Sequence, residues 1–174
     1  MKIHAMLLTL CAGAIYHASA VAQPARTGTH FNSKAIPSEV LMLQSPDEVG
    51  RIRQLLNDGR KNDALEAAES YLRQVERLAL RDETETRYYA WNAYCTVLTS
   101  LQRVDEAIAA CSTAMAFAPE KWSAVNNRGT AKLVGGRLQE ALADYQAAMS
   151  LAGEDNQSVR RTIEHNISLV QQRQ

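Results

Sequence analysis

Side chains able to act as nucleophile, base or metal ligand are few in this chain of 174 residues, which holds four histidines and three cysteines. His4, His17 and Cys11 fall in an N-terminal stretch read below as a cleaved signal, leaving His30, His165, Cys95 and Cys111. A histidine-based triad or a multi-histidine metal site needs several such groups converging on one point. His30 and His165 lie far apart in the sequence, and neither has a cysteine or histidine close by. His165 sits beside an apolar stripe and reads as a helix-surface histidine. Glu83, Glu85, Glu106 and Glu140 fall near helix starts, where the macrodipole favours a carboxylate, rather than as pairs in one pocket. No glycine-rich phosphate loop is present. The expectation is no catalytic residue, no metal and no cofactor; the protein reads as a non-enzyme.

The cysteines leave one chemistry open. Cys95 and Cys111 lie at similar distances on either side of a turn near Gln102, so an antiparallel hairpin sets them on facing helices. A disulfide requires Cα atoms within about 7 Å, whereas ordinary helix packing leaves axes about 8–10 Å apart. A crossing lined by small residues closes that gap. Two readings stand at this stage, a disulfide or two buried thiols serving as small hydrophobes. Redox catalysis is disfavoured because the Cys-x-x-Cys spacing is missing.

Compartment and partner class follow from charge and from the N-terminus. Nineteen basic residues balance nineteen acidic ones, so no excess of positive charge is available to displace counterions from a nucleic acid. Lys2 and His4 precede an apolar run from Ala5 to Ile15 and the small residues Ala18-Ser19-Ala20-Val21-Ala22. That order marks a signal peptide over residues 1–22, cleaved after Ala22 or otherwise after Ala20. The run is well short of the roughly 20 residues a spanning helix needs, so no permanent membrane anchor is expected. The mature protein is expected to be periplasmic or secreted, where an even pair of cysteines is a disulfide candidate.

The segments that position any site are read next. Residues 23–44 carry Pro24, Gly28, Pro37 and scattered polar residues without periodicity, and read as a disordered leader with one apolar cluster, Val40-Leu41-Met42-Leu43. Ser45-Pro46-Asp47-Glu48 forms a capping box. Helical periodicity then runs over about 46–57, 62–80, 83–101, 104–117, 121–134, 138–151 and 156–170, with breaks at Gly59, Pro119, Gly135-Gly136 and Gly153. No segment alternates as a strand does. The fold class is all-α.

A shift of 34 residues overlays Asn92 on Asn126, Thr96 on Thr130, Glu106 on Glu140, Ala107 on Ala141, Ala109 on Ala143, Ala114 on Ala148 and Met115 on Met149. A period of about 34 with two helices per unit belongs to hairpins that bury their apolar faces only by stacking. The stretch Asn126-Asn127-Arg128-Gly129 through Gly136, Glu140-Ala141-Leu142, Asp144-Tyr145 and Ala148 resembles the tetratricopeptide repeat (TPR) family, as does Trp91 through Pro119. Gly59 with Asn62-Asp63-Ala64-Leu65 resembles a degenerate unit, 43 residues upstream of its counterpart. Lys132 stands where the family usually has an aromatic, and Gln102 where it often has glycine. The implied organisation is a TPR-like hairpin over 45–82, units over 83–119 and 120–153, and a C-terminal capping helix over 154–174. Together they form a short right-handed superhelix.

In that family the first helix of each unit lines a concave groove that holds an extended peptide or a partner's helix. Matching helix positions assigns to this groove Tyr89, Asn92, Thr96 and Ser100, then Ser123, Asn126, Asn127 and Thr130. An asparagine side chain offers both a donor and an acceptor, so a row of them suits a peptide backbone without requiring charge. No lysine occupies the groove positions of the family's carboxylate clamp. The resemblance implies a non-catalytic scaffold or adaptor of the periplasm or cell envelope that binds a protein or peptide. The alternative is a permanent structural subunit of an envelope complex, attached through its convex face or terminal helix.

Overall fold

A computed structural model describes residues 47–77 and 84–173. Within them the chain forms α1 (Asp47–Asn57), α2 (Lys61–Arg77), α3 (Thr84–Ser100), α4 (Val104–Phe117), α5 (Trp122–Val134), α6 (Leu138–Leu151) and α7 (Gln157–Gln171). There is no strand among the described residues. The signal and leader segments, the Ser45-Pro46 end of the capping box and the stretch 78–83 lie outside them.

Local chemistry explains where each hairpin turns. Gly59, Gln102 and Gly136 all adopt positive φ (75°, 60° and 73°) directly after a helix. In each case the N–H at this position donates three residues back and the next N–H five residues back: Gly59 to Leu56 and Arg60 to Leu55, Gln102 to Thr99 and Arg103 to Leu98, Gly136 to Leu133 and Arg137 to Lys132. This left-handed closure satisfies carbonyls the helix end leaves open. The same turn thus recurs three times, twice on glycine and once on glutamine.

The helices then stack as nearest neighbours. α1 packs on α2 and α3, α3 on α4 and α5, and α5 on α6 and α7. Small residues set the closest crossings: Ala107, Ala110, Ala114, Ala141 and Ala148 are all buried. A Cβ placed on Gly129 would stand 2.9 Å from Tyr145 Cε1 and 3.3 Å from the Ala141 carbonyl oxygen. The glycine there is required by the buried tyrosine ring. One repeat earlier, the same two positions are Cys95 and Cys111, and there the side chains are joined as a disulfide with Cα atoms 5.2 Å apart. The choice left open by the sequence is thereby settled in favour of the bond.

Lys132, the departure from an aromatic, finds a different partner. Its Nζ lies 2.8 Å from Asp144 Oδ2, and Arg128 grips the same carboxylate through Nε and one terminal nitrogen at 2.9 and 2.7 Å. Asp144 is buried, so the two cations offset the cost of removing its charge from water. That bidentate bond also holds the Arg128 guanidinium above its ordinary pKa. The α5–α6 contact at this position is ionic.

Candidate functional site: an amide row across the inner helices

The residues assigned to a groove come from α3 and α5, and hydrogen bonds link Asn92, Thr96, Asn126, Asn127 and Thr130 into one row. Asn127 Nδ2 donates to Asn92 Oδ1 at 3.0 Å and to Thr96 Oγ1 at 3.4 Å, linking α5 to α3. Asn126 Nδ2 donates to Asn127 Oδ1 at 3.4 Å. Thr130 Oγ1 accepts from the Tyr145 hydroxyl at 3.1 Å and donates to the Asn126 carbonyl at 3.2 Å. Ser123 shares a short hydrogen bond with the Tyr88 hydroxyl, whose pKa burial pushes up.

Burial adds a feature that the sequence reading did not include. Asn92, Thr96, Ser100, Ser123, Asn126, Asn127 and Thr130 are assigned by the sequence to the face of a groove, yet none exceeds 3% exposure. The physical reason lies in the packing and in the amide group itself. α3 and α5 each contact four other helices, and an asparagine carrying both donor and acceptor pairs with its counterpart on the next helix. Tyr89 alone of the set stays partly accessible. Its hydroxyl donates to Glu85 Oε1 at 2.9 Å and accepts from Lys121 Nζ at 3.2 Å. The Lys121 ammonium lies 4.6 Å from the Tyr89 ring centre and 5.0 Å from that of Tyr88. Burial works to lower the Lys121 pKa, but the bonds to Glu85 and Tyr89 outweigh it and hold the group above the usual lysine value. Glu85 is held below the usual carboxylate value, chiefly by its hydrogen bond to Lys121.

Sequence reasoning missed one member of the row. Asn166 of α7 is fully buried, and its Nδ2 donates to Asn126 Oδ1 at 3.0 Å. Only its place in the apolar stripe of Val159, Ile163, Ile167 and Val170 hinted at burial, because a polar residue there must find a partner. His165, next to it, is exposed, and His30 lies outside the described residues. Among the described residues no three His, Cys, Asp or Glu side chains form a group able to hold a metal. No described helix is long and apolar enough to cross a membrane.

Other proteins share this helix arrangement. The TPR2B domain of yeast Sti1, solved as a complex with pHsp70, superposes with a TM-score of 0.58 at 19% identity, covering 74% of this chain and all of that one. The second TPR domain of human RPAP3, in complex with the HSP70 peptide SGPTIEEVD, gives 0.55 at 20% identity, covering 71% and 92%. The fold is that of a TPR domain. No protein-family model matches the chain. Among curated proteins, DnaJ homolog subfamily C member 3 of Rattus norvegicus is 28% identical over 126 residues, 72% of this chain and 24% of that protein. The chain spans about a quarter of the length of the curated relatives it matches. Within the TPR fold, α3 and α5 are the first helices of successive hairpins, and the amide row runs along them.

Proposed function

We propose that this TPR domain is a non-catalytic scaffold that holds an extended peptide or a helix of a partner protein against α3 and α5. The amide row carries this reading. An asparagine amide offers both a donor and an acceptor, which suits a peptide backbone that offers N–H and C=O in alternation. Tyr89, at the accessible edge, supplies an aromatic contact. The TPR neighbours from yeast and human, solved with Hsp70 and an HSP70 peptide, support a polypeptide as the class of ligand.

The proposed setting is the periplasm or cell envelope of a bacterium, reached by cleavage after Ala22, with no nucleic acid partner and no permanent membrane anchor. The Cys95–Cys111 disulfide supports an oxidising compartment. The test is affinity capture from an envelope extract with tagged Gln23–Gln174, beside an Asn92→Ala, Asn126→Ala, Asn127→Ala variant and a separate Tyr89→Ala variant that spares the buried row. Both must keep the parent's helical circular dichroism. The expected result is a specific protein retained by the parent and lost or weakened by both variants. Equal retention by all three moves the contact to the convex face or the terminal helix, and the structural-subunit reading replaces this one.

A further inference from the structure

Two triplets of the form Asn-x-Ser stand near the C-terminus, Asn156-Gln157-Ser158 and Asn166-Ile167-Ser168, and neither has proline at its centre. The form is the acceptor pattern for N-glycosylation of exported chains. Their flanks do not separate them, since Glu154 and Glu164 stand at the same place, two residues ahead. The fold separates them. Asn166 lies inside α7, is 0% exposed, and has its Nδ2 engaged by Asn126 Oδ1 at 3.0 Å, while the Ser168 hydroxyl donates to the His165 carbonyl at 2.7 Å. Asn156 stands at the start of the same helix, in the exposed run 153–158 that turns the chain from α6 into α7. An asparagine in that position commonly caps the helix with its side chain, but Asn156 makes no capping bond. Instead its Oδ1 accepts from the Ser158 hydroxyl at 3.2 Å, and its nitrogen has no hydrogen-bond partner among the described residues.

We propose that Asn156 is an N-glycosylation site and that Asn166 is not. The substrate class is a polyprenyl diphosphate-linked oligosaccharide. In the transfer, Asn156 Nδ2 forms a bond to the anomeric carbon of the first sugar, and the bond from that carbon to the diphosphate oxygen breaks. The lipid diphosphate leaves with the bonding pair, one amide proton is released, and nothing is oxidised or reduced. The surroundings of Asn156 fit that step. An amide nitrogen is a weak nucleophile because its lone pair is shared with the carbonyl; a hydroxyl donating to Oδ1 favours the imidate form, in which the pair returns to nitrogen, and Ser158 is already placed to donate. The exposed turn enters a transferase cleft without opening the core. At Asn166 the same approach means pulling α7 off Asn126 and breaking the packing of Ile163 and Val170. The proposal rests on the export reading, because the transferase and its lipid-linked donor act on exported chains, and it asks nothing of the groove.

The folded mature chain, Gln23–Gln174, is incubated with a purified single-subunit oligosaccharyltransferase and a polyprenyl diphosphate-linked oligosaccharide, beside a synthetic peptide of residues 153–160. Products are measured as intact masses and mapped by mass spectrometry. The expected result is a single glycan on the parent, carried by Asn156, lost in Asn156→Gln and Ser158→Ala and kept in Ser158→Thr. All three variants should retain the parent's helical circular dichroism, since both positions are exposed. Two glycans on the folded chain, or one on Asn166, overturn the proposal. A peptide that is modified while the folded chain is not means that the fold withholds Asn156; a peptide that is not modified means that the triplet is no acceptor, and either result also overturns it. The full chain, Met1–Gln174, made in a bacterial host carrying the same transferase and donor, then tests the export on which the proposal rests. A glycan is expected on a product cleaved of its signal, and a cleaved product without one overturns the proposal. If the purified chain is modified but the cellular product keeps residues 1–22 and carries no glycan, the export reading has failed while Asn156 stands as the acceptor.

Discussion

Gln102 and Gly129 show how much one side chain decides when a repeat fixes its backbone. Gln102 holds φ at 60° in a turn that its counterparts make with Gly59 and Gly136. A side chain in that left-handed region costs about 1 kcal/mol, which glycine avoids, although glycine gives back part of it through the entropy of the unfolded chain. Gln102→Gly is therefore expected to raise the thermal midpoint by a few degrees, read by circular dichroism; a fall would mean that the exposed glutamine makes a contact of its own. Gly129 is the opposite case. Alanine favours a helix by about 1 kcal/mol, but its methyl would meet Tyr145 at 2.9 Å inside a core with no slack. Overpacking of that kind costs about 1–3 kcal/mol. Gly129→Ala is expected to lower the urea midpoint, and Gly129→Ala with Tyr145→Leu to recover most of the loss.

At the scale of elements, the α3–α4 hairpin is tied covalently where the α5–α6 hairpin is packed. Cys95 and Cys111, 16 residues apart, close a loop whose entropy loss in the unfolded chain stabilises the fold by about 3 kcal/mol. Reduction is thus expected to lower the thermal midpoint by roughly 10 °C, and a Cys95→Ala, Cys111→Ala variant to behave the same with or without reductant. A reductant effect that persists in that variant would place the redox sensitivity elsewhere. The sequence made the two sulfurs neighbours through similar spacing from the turn. Whether they bonded depended on the axes coming closer than ordinary helices do, which Ala107 and the other small residues allow only once packed.

Across the whole molecule, α7 packs on α5 and α6 at the end of the described helices. Val159, Ile163, Leu169 and Val170 join one core with Trp122, Val125, Leu133, Tyr145 and Ala148, and Asn166 joins α7 to the amide row. Burying four such side chains contributes on the order of 6–10 kcal/mol, comparable with the total stability of a small domain. A chain ending at Gly153 is expected to lose cooperative unfolding, seen as a broadened denaturation curve. A sharp transition at the parent's midpoint would show that α7 adds little. Because each hairpin buries its faces only against its neighbours, this loss should spread to α5 before it reaches α1.

The sequence by itself determined the all-α class, the 34-residue register and the turn at each hairpin, because helical periodicity, small-residue crossings and left-handed closures are written in neighbouring residues. Even the departures were legible there: Lys132 and Gln102 stood out against the pattern. The tertiary structure decided what those departures do and where the polar inner-helix residues end up. Lys132 reads as a misfit until Asp144 arrives from the facing helix to pair with it and with Arg128 one turn earlier, and Asn166 reads as one polar residue on an apolar stripe until α7 folds back onto Asn126. Likewise, the burial of the asparagines of α3 and α5 is not written in the sequence, since periodicity gives the face of a helix but not what lies across from it. A hydrogen bond between residues 35 or 40 positions apart depends on the distance between helices, and only packing sets that distance.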